Sequence, residues 1–191
     1  MKKVLMFLCA MIIVSGCATS MQMPVQEFSH IDRNEGIVVG SVLVKGGKDL
    51  LGRTSWTLHV EGMDPDLKNF SIDVKRDGDE AIFATKMLAG KYHFSRLQQY
   101  GFSTFEFDID VSFTVYPEKT VYIGRLVIEF PEGLINIGTL IFYSIEDAKD
   151  QTLASAEKTH GDLVRNAVTD LAEADYIMVP KSHKMKPAPP R

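Results

Sequence analysis

After Gly101 the chain alternates between apolar and polar residues without a break. Phe105, Phe107, Ile109, Val111, Phe113 and Val115 fall on one side; Glu106, Asp108, Asp110, Ser112 and Thr114 fall on the other. A period of two is the side-chain repeat of a β-strand and conflicts with the 3.6-residue repeat of a helix. Six large apolar groups on one face must be covered, so this stretch requires a second packed layer.

The rest of the central sequence supplies that layer. Ile37 to Val44 is apolar on both faces, as a central strand is. Thr54 to Glu61 places Trp56, Leu58 and Val60 opposite Thr57, His59 and Glu61, and Phe70, Ile72 and Val74 share a face of the next strand. Ala81 to Met87, Lys91 to Leu97, Thr120 to Phe130 and Leu134 to Tyr143 complete about eight strands. Thr120 to Phe130 is apolar on both faces except at Arg125 and Glu129. Lys45-Gly46-Gly47-Lys48, Asp64-Pro65-Asp66, Asp77-Gly78, Ala89-Gly90, Pro117-Glu118-Lys119 and Pro131-Glu132-Gly133 mark the turns. Turn signals every ten residues or so predict a mainly β fold, an antiparallel sandwich of 7–8 strands over residues 36–145.

The period then changes. Ser144-Ile145-Glu146-Asp147 has a layout like a capping box, and an Ala-rich segment follows it. Gly161 interrupts, and Leu163, Val164, Ala167, Val168 and Leu171 resume at helical spacing. The pattern predicts a C-terminal helical pair within 146–175, near 146–159 and 162–174. Its apolar stripe packs on the sandwich or, alternatively, binds a partner protein. Residues 176–191 read as a disordered tail with prolines and the cations Lys181, Lys184, Lys186 and Arg191. Such a tail is a solvated terminus or, alternatively, touches anionic headgroups or an acidic protein partner.

At the other end, Lys2 and Lys3 precede an apolar run from Val4 to Val14. This is the layout of a secretory signal, and it falls short of the roughly 20 residues that span a bilayer. Val14, Ser15, Gly16 and Cys17 end it and resemble the lipobox of bacterial lipoproteins. The resemblance implies a signal peptide over 1–16, lipidation of Cys17 with palmitate-class acyl chains, and a mature chain that begins there. Lipidation contributes about 0.8 kcal/mol of membrane affinity per buried methylene, so two or more chains hold firmly. Ala18 stands where an Asp would retain such a protein at the inner membrane, which implies the outer membrane and a periplasm-facing domain. The alternative is an ordinary signal peptide in which Cys17 is an incidental thiol. Residues 17–35 then serve as a flexible tether with a reach of about 25 Å.

Cysteine usage agrees with an exported chain: Cys9 leaves with the leader and Cys17 takes lipid, so the mature protein has neither thiol nor disulfide. Cleavage leaves 175 residues, enough to bury about 70% of the unfolded surface without a covalent staple. Loss of Lys2 and Lys3 moves the net charge from −4 to −6. A mildly acidic body is a poor match to nucleic acid, whose phosphates call for a clustered positive face.

Two further segments, Leu88-Ala89-Gly90-Lys91-Tyr92 and Val115-Tyr116-Pro117-Glu118-Lys119-Thr120-Val121-Tyr122-Ile123-Gly124, resemble the transthyretin-like (prealbumin-like) sandwich domains of bacterial lipoproteins, akin to carboxypeptidase regulatory domains. The resemblance spans about residues 36–145 and implies a sandwich with no assigned chemistry. Gly90 suits a tight turn. Tyr92 and Tyr122 are expected to bury their rings while their hydroxyls reach polar partners.

Catalytic constellations are sparse. Glu106, Asp108 and Asp110 stand about 6.6–7 Å apart along one strand face. That spacing suits a cation or an inverting glycosidase pair, or a solvated face whose charges discourage edge-to-edge association. His30, His59, His93, His160 and His183 show no short ligand spacing. His59 and His93 lie opposite their strands' aromatic residues and are expected to be exposed. No Gly-x-Ser-x-Gly elbow occurs, Gly46-Gly47-Lys48 reads as a turn, and Trp56 reads as core rather than a sugar platform. The expectation is a membrane-anchored lipoprotein that acts as a non-enzymatic binding or scaffold module for an envelope protein, with no metal or cofactor. A glycan-, peptidoglycan- or small-ligand-binding module is the alternative, and a hydrolase the third.

Overall fold

The computed structural model describes residues 30–46, 55–75, 79–99, 105–130 and 141–174. The elements are β1 (Glu35–Lys45), β2 (Ser55–Gly62), β3 (Phe70–Lys75), β4 (Ala81–Leu88), β5 (Gly90–Gln99), β6 (Phe105–Val115), β7 (Thr120–Glu129) and β8 (Phe142–Glu146). After them come α1 (Lys149–His160), a 3₁₀ turn (Asp162–Val164), β9 (Val168–Thr169) and β10 (Glu173–Ala174). Strands dominate, as the period-two pattern requires.

The strands form two sheets. The first runs β4-β1-β7-β8, with β9 also on β7; the second runs β10-β6-β5-β2-β3. One apolar core lies between them. Val38, Val42, Phe83, Val121, Ile123, Leu126 and Ile128 enter it from the first sheet. Trp56, Leu58, Val60, Tyr92, Phe94, Leu97, Phe107, Val111 and Phe113 enter from the second. The alternation of β6 is therefore an inside–outside alternation, with Glu106, Asp108 and Asp110 exposed and Phe107, Ile109 and Val111 buried. Trp56, 2% exposed, stacks on Phe130 at 4.9 Å, in the core as expected.

The sandwich is not purely antiparallel. β1 pairs antiparallel with β4 but parallel with β7, from Ile37↔Thr120 to Lys45↔Glu129. These are the two strands whose sequences are apolar on both sides, and the reason is now visible. Their inner residues face the second sheet, while Ile37, Val39 and Tyr122 face outward into a smaller cluster with Leu153 and Ala156 of α1 and with Val164 and Ala167. Strands covered on both faces are the ones that pair in parallel. The register of this pair shifts between Val39 and Ser41, opposite Gly124. Gly124 has φ +99°, and a Cβ there would lie 2.6 Å from the Ile145 side chain, so the bulge demands glycine.

Two C-terminal expectations are corrected. The start of the expected eighth strand, Leu134 to residue 140, lies outside the described residues, and its described part is Phe142–Glu146. Ser144, Ile145 and Glu146, read as a helix cap, belong to that strand and pair with Val127, Leu126 and Arg125. The helix starts later, at Lys149, where the Asp147 carboxylate accepts the Lys149 N–H. The second helix does not form. After Gly161 (φ +84°) a single 3₁₀ turn drops Val164 into the outer cluster, and the chain then extends. Asp170 and Ala172 donate backbone N–H groups to the Tyr122 and Ile123 carbonyls, β9 joins Val121 and Tyr122, and β10 joins Val111 and Ser112. Free backbone at the edges of β7 and β6 outcompetes a short helix whose stripe has only one face to bury. The segment thus straps one sheet to the other, and Val168 and Leu171, which a helix would have turned inward, are exposed.

Residues 30–34, at the end of the expected tether, are already tied to the domain. Ile31 packs on the outer cluster and the Asn34 carbonyl accepts the Ala89 N–H at 2.8 Å. His30 Nε2 lies 2.6 Å from Asp32, and this hydrogen bond first, then that to Glu35, holds the Asp32 carboxyl below its ordinary range.

Candidate functional site

The two outer faces of the sandwich differ. α1, the only α-helix among the described residues, lies on the first sheet. The second sheet turns outward a row of polar groups from four strands: Asp73 on β3; Thr57, His59 and Glu61 on β2; Lys91, His93, Ser95, Arg96 and Gln98 on β5; Glu106, Asp108 and Asp110 on β6.

These groups are linked across the strands. Thr57 Oγ1 donates to Asp73 Oδ1 at 3.2 Å. His59 Nε2 lies 2.8 Å from Gln98 Oε1, and Gln98 Nε2 donates to Glu106 Oε1 at 2.9 Å. Arg96 Nη1 stands 3.7 Å from Glu106 Oε2. Ser95 Oγ donates to Glu61 Oε1 at 2.8 Å, and His93 Nε2 lies 3.7 Å from Glu61 Oε2. The pairs follow from register, since Thr57 faces Gln98, Glu61 faces His93 and Gln98 faces Glu106. Against β2, where Val60 faces Phe94 and His59 faces Arg96, β5 carries one extra residue, a bulge that sets Ser95 and Arg96 beside these partners. His59 and His93 are half-buried rather than freely exposed, because each ring leans on its cross-strand neighbour.

Chemically, this is a surface of fixed donors and acceptors. Glu106 is engaged by Gln98 and Arg96, and Glu61 by Ser95 and His93, so neither stands as an isolated base. Asp108 and Asp110 are exposed along one strand. Among the described residues no group of three His, Cys, Asp or Glu side chains is placed to hold a metal ion. His30, His59, His93 and His160 stand on separate elements: the domain's entry, β2, β5 and the last residue of α1. Cys17, with Val14, Ser15 and Gly16, lies outside the described residues, as do His183 and the basic tail. No described helix is long and apolar enough to cross a membrane.

Sequence reading passed over a second cluster, on the covered side. Arg125 lies 14% exposed on β7, and its guanidinium grips Glu80 with two bonds, Nε to Oε1 at 2.8 Å and Nη2 to Oε2 at 3.0 Å. Gln151 of α1 accepts from the same Nη2 at 2.9 Å, and Glu146 stands 3.8 Å away. The signal was present: a charge inside a doubly apolar strand must find a partner. Glu129, the other polar residue there, pairs with Lys45 at 3.1 Å. Arg125 clamps the helix and Glu80 to the strand and reads as structural. So does Tyr122, fully buried, whose hydroxyl accepts the Ala148 N–H at 2.8 Å, and Tyr92, whose hydroxyl donates to the Leu88 carbonyl at 3.0 Å. Burial raises both phenols above their ordinary value. Both tyrosines behave as their motif positions led us to expect. At Gly90 a Cβ would lie 2.7 Å from the Leu67 side chain, so packing as well as the turn requires glycine.

No protein-family profile matches this chain, and no match is found among curated proteins or solved structures.

Proposed function

We propose that this protein is a lipid-anchored outer-membrane lipoprotein of the periplasm, a non-enzymatic module that positions another envelope component. Its sandwich, prealbumin-like on the evidence of Leu88–Tyr92 and Val115–Gly124, presents the outer face of the second sheet to an envelope protein. The observation that carries this reading is the contrast between the two faces. One is closed by α1 and the strap, while the other carries cross-strand pairs that hold polar groups in place before any partner arrives. Preorganised side chains lose less entropy on association, which favours recognition by a broad surface. The anchor is supported by Val14-Ser15-Gly16-Cys17 behind an apolar run too short to span.

A photo-crosslinking amino acid at Asp108, on the open face, and at Lys158, on α1, tests the reading in cells. One reproducible envelope protein captured from position 108 and not from 158, and lost in an exported Cys17→Ser variant, is the expected result. Retention of the purified domain on peptidoglycan or polysaccharide, with no protein captured, replaces the proposal with the glycan-binding alternative. Fractionation of the native protein with the inner membrane would overturn the assignment of compartment.

A further inference from the structure

We infer that the end of the sandwich at which the chain enters rests on the bilayer surface, with Met63 and Tyr116 set among phospholipid headgroups. The inference deepens the preceding one and rests on its lipid anchor at Cys17.

The placement of exposed apolar groups carries the argument. Among the described residues the large apolar side chains that stand exposed are Met63 (56%), Tyr116 (39%), Val168 (57%) and Leu171 (40%). Met63 and Tyr116 share one end: they follow β2 and β6, and register sets Gly62 opposite Tyr92 and Val115 opposite Gly90, at the start of β5. Val168 lies close by, paired with Val121, the second residue of β7; Leu171 sits farther along the strap. The same end receives the chain, since Glu35 opens β1 opposite Leu88, the last residue of β4. Backbone bonds make this end a preformed platform. Ala89 donates its N–H to the Asn34 carbonyl at 2.8 Å, Glu118 to Glu35 at 2.7 Å and Met63 to Lys91 at 2.9 Å. Loops held in this way present their side chains with little further loss of entropy.

Chain length selects the same end. Thirteen residue steps separate Cys17 from His30, at most about 45 Å of extended chain. To set the opposite end against lipid, that connection would have to run back along β1, whose 11 residues span about 36 Å. The entry end needs no such detour. A short tether also keeps it at high local concentration over the membrane, so a weak contact suffices. The chemistry fits a headgroup layer, where tyrosine is favoured because its ring and hydroxyl prefer different surroundings. Lys119 stands over the Tyr116 ring at 5.6 Å. Charge is balanced, with Arg33, Lys68, Lys91 and Lys119 exposed at this end beside Asp32, Asp64, Asp66 and Glu118. That balance matches a zwitterionic lipid surface. Seated so, the sandwich stands upright and its open face looks sideways. Glu106, nine residues along β6 from Val115, is then held about 30 Å above the lipid, within reach of a partner beside the domain.

Amide NMR of the full lipidated protein tests this in phosphatidylcholine bicelles doped with a lipid whose headgroup carries chelated gadolinium. Amides of residues 62–68, 89–91 and 116–119 should lose most of their intensity, while those of 106–110 and 126–129 keep theirs. A Met63→Ser/Tyr116→Ser variant with an unchanged urea midpoint should recover much of the lost intensity. Should that variant fail to fold, Met63→Ser alone, on an exposed loop, is read in its place. In 1 M salt, where the screening length is about 3 Å, the loss should persist, because apolar contact holds the end down. A loss that is absent, even over the domain, strongest at 106–110 or abolished by salt overturns the inference. So do changes at the same amides that follow protein concentration without lipid, which would assign this end to a second copy. Mass spectrometry of the same sample separates the two readings. An unlipidated Cys17 overturns the anchor and this inference together, whereas a lipidated Cys17 with unaltered amides overturns this inference alone.

Discussion

The outer faces of the two sheets are built from the same kind of strand, yet one is buried and the other is not. On the first, Ile37, Val39, Ala84 and Tyr122 meet Leu153 and Ala156 of α1 in a closed apolar layer. On the second, the same outward positions hold Asp73, His59, Glu61, Gln98 and the β6 carboxylates, joined by side-chain bonds. The difference teaches that in this molecule apolar outward residues report stability and polar ones report availability. Substitutions on the covered face should therefore cost folding free energy, while substitutions on the open face should cost about 1 kcal/mol or less. A charge placed under the helix should have the largest effect. Ala156 is 1% exposed, and Ala156→Asp would bury a carboxylate with no cation provided for it. A loss of about 3 kcal/mol or more is expected in urea unfolding. A loss below about 1 kcal/mol would show that α1 is only loosely seated.

Next in size comes the clamp on the same side. Arg125→Ala strands the Glu80 carboxylate, itself 14% exposed, with Gln151 alone as a neutral donor at 3.3 Å. The expected loss is about 2–3 kcal/mol, the lower range for a charge left partly wet. An Arg125→Met/Glu80→Gln double variant should recover most of it, because no charge is then abandoned. If the double variant is as unstable as the single, the pair's packing matters more than its charge.

Much of this division was legible in the sequence. The alternation of 105–115 gave strand, face and core membership together, and the two doubly apolar strands signalled central positions covered on both sides. The β-rich architecture and the places of Trp56, Tyr92 and Tyr122 followed from the same pattern. What could not be read was anything decided by backbone pairing at a distance. Parallel pairing of β1 with β7 depends on which strands end up side by side. Residues 162–174 carry helical spacing, yet they open into a strap because β7 and β6 offer unpaired edges. The open face was visible only as isolated polar residues. Its bonds need the registers Thr57↔Gln98 and Gln98↔Glu106, which no local signal specifies.

Two adjacent glutamines on β5 sharpen the comparison within one strand. Gln98 faces outward and is bonded to His59 and Glu106. Gln99 faces inward, 1% exposed, and neither its amide oxygen nor its nitrogen has a hydrogen-bond partner among the described residues. Gln98→Met should cost about 1 kcal/mol by undoing two bonds, whereas Gln99→Met should be neutral or stabilise by about 1 kcal/mol. Equal losses from both would mean that shape, not hydrogen bonding, sets the choice of glutamine. Alkali separates the layers in a similar way. Burial raises the Tyr92 and Tyr122 phenols above their ordinary value near 10, so the unfolded chain gives up these protons first as pH rises. Stability should be fully present below about pH 10 and fall as pH climbs through the folded-state values. Tyr122→Phe, which leaves the Ala148 N–H without its acceptor, should cost about 1 kcal/mol at neutral pH and flatten part of that fall.

The smallest expected change in stability bears most directly on function. Asp108 and Asp110 are exposed on β6, and Asp108→Asn/Asp110→Asn alters charge while keeping shape. Substitutions at exposed strand positions usually move folding free energy by no more than about 0.5 kcal/mol. Urea midpoints should therefore coincide with the parent protein, while crosslinking from the open face, read at a neighbouring position such as Thr114, should drop. A loss of capture without a loss of stability cannot come from a general loosening of the fold, since the same samples report both. If instead the double variant loses 2 kcal/mol or more and captures its partner as before, the two faces have the same role. The carboxylates of β6 would then belong to the structure rather than to recognition.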